Sequence, residues 1–246
     1  MMSRVRRLGE DQRGFTLIEL MTAISIGMVV LFAAWTILDH SVSAADDVSD
    51  RVDTTQRGRV AMEEITGQLR SQVCLPEDVT DTTLDDSKTA LINAGANEVT
   101  FYTDHGGENP LPDRRRLSYS AGTITEQVWR PTGIAPDWVY PASPTRTRKL
   151  GTGLAPAEVS GQPQPIFRYF AYNNAQPPSP DLALTAPLNT LDLSRTVKID
   201  VTFASKPERK RHDDVASTLE GTVFVRGARS SDFSTNPPEY GGPPCM

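Results

Sequence analysis

Proline is absent from Phe15 to Leu75, in a chain whose nineteen prolines all lie further on. That absence removes the strongest helix breaker from the whole stretch. Formal charge is absent from Leu20 to Leu38, a continuous run of nineteen residues. Cysteine is limited to Cys74 and Cys245, two isolated positions that do not make a metal site. Aromatic residues are scarce at 7% and histidine is confined to His40, His105 and His212. No serine or cysteine stands in a nucleophile signature, and neither a phosphate-cradling glycine loop nor a His-x-x-x-His spacing occurs. The enzyme classes defined by those motifs therefore have no support, and no catalytic residue or cofactor is expected.

What is present begins with the uncharged run. With Phe15 to Ile18 in front, it is long enough to span a hydrocarbon core of about 30 Å, which takes roughly 20 helical residues at 1.5 Å each. A secretory signal peptide has a shorter apolar region with its cleavage site behind it, which this run does not match. Arg4, Arg6, Arg7 and Arg13 flank one side and Asp39, Asp46, Asp47 and Asp50 the other. Basic flanks stay inside, so the N-terminus is placed in the cytoplasm and the bulk of the chain outside. Glu19 departs from a plain anchor, because a lone carboxylate in the span costs about 2.5–3.5 kcal/mol or more. It needs a cation, and none occurs between Phe15 and Leu38.

Behind a short basic leader, Gly14-Phe15-Thr16-Leu17-Ile18-Glu19-Leu20 resembles the type IV prepilin signature. The resemblance implies cleavage by prepilin peptidase between Gly14 and Phe15, N-methylation of Phe15, and an assembly salt bridge from Glu19 to the Phe15 amine of a neighbour. It also implies three further partners: other pilin or pseudopilin subunits, an inner-membrane assembly platform and the membrane itself. The location that follows is a single-pass cytoplasmic membrane protein, then a cell-surface or periplasmic filament. Many major pilins carry a proline in the apolar half, which this chain lacks. The order of its later strand patterns resembles PilW-like minor pilins and the J-type pseudopilin of type II secretion, which favours a minor subunit. A type IV pilus, a type II secretion pseudopilus and a DNA-uptake filament remain open, and a single-span anchored extracellular enzyme or receptor is the competing reading.

The organisation expected is a leader at 1–14, a membrane or filament-core helix at 15–38, an amphipathic continuation at 39–75 and an extracytoplasmic head at 76–246. Met62, Ile65, Leu69 and Val73 recur at helical spacing until Pro76, while Gly58 and Gly67 predict a bend or fray. Glu77 to Ala96 reads as a surface connection and Pro131 to Gln164 as a long loop or flap. Strands are expected at Glu98–Thr103, in a hairpin of Arg116–Tyr119 with Thr123–Trp129, and at Ile166–Tyr172, Thr196–Phe203 and Gly221–Arg226. The fold class is α+β, pilin-like, with a long N-terminal helix on an antiparallel β-sheet head.

Removing the leader's four basic and two acidic residues from totals of 25 and 31 leaves a formal net of −8. That balance opposes general nucleic-acid affinity. Arg114 to Arg116 and Lys206 to Arg211 read as solvated basic turns, and Asp78, Asp81, Asp85 and Asp86 as a solvated acidic loop without calcium-loop spacing. In an exported head Cys74 and Cys245 either form a disulfide, closing a long loop worth a few kcal/mol, or remain two free thiols.

Overall fold

The computed structural model describes residues 14–75, 90–104, 111–134, 137–173, 179–206 and 216–225. The chain divides into two compact units, Met1–Ser49 and Asp50–Met246. The architecture is α+β. One helix, α1 (Leu17–Arg70), runs through both units. In the first unit its side chains are almost all exposed, and α1 is the one described helix long and apolar enough to cross a membrane.

The second unit contains the head. Its first sheet has the order β1 (Leu91–Ala94), β2 (Glu98–Thr103), β3 (Asp113–Ser120), β4 (Thr123–Trp129) and β7 (Arg146–Thr152). All its pairings are antiparallel. The β3–β4 turn is set by Ala121 at φ 46° and Gly122 at φ 80°, the left-handed pair that a two-residue hairpin demands. Between β4 and β7 lies a small hairpin of β5 (Thr132–Ile134) and β6 (Asp137–Val139). After β7 come β8 (Leu154–Ala155) and a hairpin of β9 (Glu158–Val159) with β10 (Gln162–Pro163).

The second sheet runs β12 (Leu182–Leu184), β11 (Phe167–Ala171), β13 (Lys198–Ser205) and β14 (Ser217–Phe224), with β8 also pairing β13. A short helix, α2 (Thr190–Arg195), precedes β13 and is capped by Asn189, whose side chain accepts from the Asp192 amide. The alternating apolar positions of β13, Ile199, Val201 and Phe203, are fully buried. They meet Ala61, Met62, Ile65 and Leu69 of α1 and Val99, Phe101, Leu117 and Ile124 of the first sheet in one core.

Five expectations about the elements need correction. The helix ends at Arg70 rather than Leu75, because the backbone leaves it to pair with β2. Gln72 bridges Thr103, and the Val73 amide donates to the Tyr102 carbonyl at 3.0 Å. Helix α1 continues through Gly58 and Gly67. A Cβ at Gly58 would run into Leu219 and lie 3.2 Å from Ser205 Cβ, so glycine here permits close approach to the second sheet. The expected loop from Pro131 to Gln164 holds β5 to β10, with β7 as a sheet-edge strand whose polar side chains hid its pattern. The expected surface connection to Ala96 includes β1, and the last strand begins at Ser217, earlier than expected. The acidic positions Asp78, Asp81, Asp85 and Asp86 lie outside the described residues.

Candidate processing and assembly site

Gly14, Phe15 and Thr16 precede the first helical residue and hold no regular structure. Thr16 caps the helix. The Glu19 amide donates to Thr16 Oγ1 at 3.3 Å and the Leu20 amide to the Thr16 carbonyl at 3.1 Å. Threonine followed three residues later by glutamate is the pattern of a capping box, and an acid in the first turn complements the positive end of the helix dipole. The Gly14–Phe15 peptide bond thus lies outside the helix. Phe15 is 82% exposed, and a side chain built at Gly14 would meet no described atom within 4 Å.

Downstream, hydroxyls in the apolar segment bond back to their own helix. Thr22 donates to the Glu19 carbonyl, Ser25 to Met21 and Thr36 to Ala33. Each bond satisfies a group that a bilayer interior would otherwise leave without a partner. The Glu19 carboxylate has no cationic partner among the described residues.

Residues 11–35 match the family described as the prokaryotic N-terminal methylation motif. The chain carries that motif. Gly14, Phe15 and Glu19 all fall inside the match, as does most of the apolar run. The motif supports a type IV pilin-like protein with a peptidase-processed N-terminus and a membrane-spanning helix, and proteins of this kind are structural rather than catalytic. No curated protein matches the chain.

The other candidate residues are scattered. His40 lies on exposed α1, whereas His105, His212 and the basic positions 207–211 lie outside the described residues. No group of three or more His, Cys, Asp or Glu that could hold a metal occurs among the described residues. Cys74 is disulfide-bonded, and Cys245 lies outside the described residues.

The run Arg114 to Arg116 is not a solvated turn. It forms part of β3, and alternation sends its members to different partners. Arg114 stacks 4.8 Å from the Trp129 ring and 5.5 Å from the Tyr140 ring. Arg116 pairs with Glu98. Arg115 is buried and donates to Glu126 Oε1 at 3.0 Å and Asp113 at 3.3 Å.

Glu126 also receives Arg148 and, at 3.5 Å, Arg146, both from β7, while Arg148 reaches on to Glu64 of α1. The Gln68 side chain donates to Glu64 at 2.9 Å. The Glu126 contact holds the Arg148 guanidinium proton more tightly than usual. Burial opposes this, and Glu64 adds to it. This network ties α1 to β3, β4 and β7, and nothing in the periodicity announced it.

Proposed function

We propose that the chain is a minor pilin or pseudopilin subunit, cut by prepilin peptidase after Gly14, methylated on Phe15 and assembled with other subunits through an inner-membrane platform into a pilus or a type II secretion-like filament. The observation that carries the reading is the methylation motif at residues 11–35, with its Gly14–Phe15 bond exposed ahead of a capped apolar helix. In this reading the head remains extracytoplasmic and carries recognition. Catalysis has no part in it.

Glu19 supplies the register. Cutting creates an α-ammonium at Phe15, and pairing the Glu19 carboxylate with that group on a neighbour removes an uncompensated charge from an apolar bundle. Cys74 and Cys245, the only two cysteines in the sequence, are proposed to form the disulfide that holds the C-terminal end to the head.

The test is intact mass and N-terminal sequencing after expression with and without a prepilin peptidase. A chain starting at Phe15 with one added methyl supports the reading. An uncut chain in the presence of active peptidase would sink it and leave the anchored enzyme or receptor. Glu19→Ala should be cut and held in the membrane but absent from sheared filament fractions, and normal incorporation of that variant would refute the charge pairing.

A further inference from the structure

Beside α1 in the second unit lies an open cleft, lined by Asp53, Gln56, Arg57 and Val60 of the helix and by Lys149 and Leu150 at the edge strand β7. Its volume is about 400 Å³. Strand β7 brings three cations, Arg146, Arg148 and Lys149, and no acid. Arg148 is committed to Glu126 and Glu64 and Arg146 also pairs with Glu126, so the cation that β7 gives to the cleft is the exposed Lys149. Val60 adds an apolar wall that is 64% exposed. The cleft therefore presents Lys149 on its β7 side and an Asp53–Arg57 ion pair at 3.1 Å on its helix side, beside an uncovered aliphatic side chain.

The same chain carries the complement. Asp39, Asp46, Asp50 and Asp53 follow one another on α1 at intervals of seven, four and three residues. At 3.6 residues per turn these spacings hold the four carboxylates on one stripe of the helix. Asp39 and Asp46 are exposed and Asp50 is half-buried, and Val42, which follows Asp39 by three residues, is 55% exposed.

We infer that the β7 cleft receives the acidic stripe around Asp39 to Asp50 of α1 from a second copy of this chain, with Lys149 facing the aspartates and Val60 facing an aliphatic residue such as Val42. The inference rests on the filament-subunit reading and gives it a specific contact. The donor segment, Asp39 to Asp50, and the cleft, whose helix wall starts at Asp53, are different stretches of the chain, so the contact is heterologous, and repeating it extends an assembly instead of closing a dimer. Opposite charge steers such a contact and fixes its register more than it adds affinity.

The test uses the full chain in membranes with an active prepilin peptidase and a photo-cross-linking residue at position 60. The expected product is a chain-to-chain adduct whose linked peptide comes from residues 39–53. Lys149→Glu and Asp50→Lys should each lower its yield about three- to fivefold, and the two together should restore it to within about twofold, as expected for a partly exposed charge pair. Adducts only to another protein, adducts mapping to another segment, or single charge reversals without effect would overturn the inference. Cleavage after Gly14 is read by mass in the same samples, so failure of the processing reading is seen separately from failure of the contact.

Discussion

Glu126 is fully buried, with Arg115, Arg146 and Arg148 around its carboxylate. A buried pair of this kind adds little net stability compared with an apolar pair. Breaking it is costly, because one charge is left without its partner. Glu126→Gln is therefore expected to destabilise the head by about 3–5 kcal/mol. Denaturant unfolding of the purified chain checks this, and a loss no larger than that of an exposed ion pair would show that water or Asp113 compensates Arg115. Thr16 differs in kind. Its role was written in Thr16-Leu17-Ile18-Glu19 as a capping box, hidden in plain view by the reading of Glu19 as a filament residue alone.

At the scale of elements, α1 meets the second sheet through backbone proximity. Intrinsic propensity predicts that Gly58→Ala stabilises a helix by about 1 kcal/mol. The structure predicts the opposite sign, because the new Cβ would press on Leu219 and on Ser205 Cβ at 3.2 Å, and overpacking costs about 1–3 kcal/mol. A melting temperature below that of the unsubstituted chain bears this out, and a higher one would mean that the seam opens freely.

The same positions show what was legible. Strands with strict alternation, such as Lys198–Ser205, and the Ala121-Gly122 hairpin could be read directly. Strand β7 could not, because Arg146, Arg148 and Lys149 gave it the composition of a loop while ion pairs and an exposed edge gave it a place in a sheet. The end of α1 was misread for a related reason. Pro76 marks where a helix must stop, but pairing with β2 stops it earlier. The N-terminal motif was legible because a membrane imposes length and charge rules on short range, whereas Glu64, Glu126 and Arg148 converge from distant parts of the chain.

For the whole molecule, charge distribution orients what the apolar run anchors. Replacing Arg4, Arg6, Arg7 and Arg13 with glutamate removes the basic flank that, in the proposed topology, holds the N-terminus in the cytoplasm. The head of that variant should lose its accessibility to protease added outside the cytoplasmic membrane, and unchanged digestion would mean that another signal sets the topology.

The core also has an order in time. Thr54 of α1 accepts a hydrogen bond from Ser205 across 151 residues of sequence, and Met62 and Thr66 lie against Gly221 in β14. The first sheet is mostly a meander of neighbouring hairpins and needs little more than its own length to form. The second sheet waits for β13 and β14, near the end of synthesis. Until they arrive, the face of α1 that they cover stays bare, and in the proposed reading it does so on a chain already held at the membrane. The interval between insertion and completion is thus when this protein depends most on chaperones and is most open to degradation.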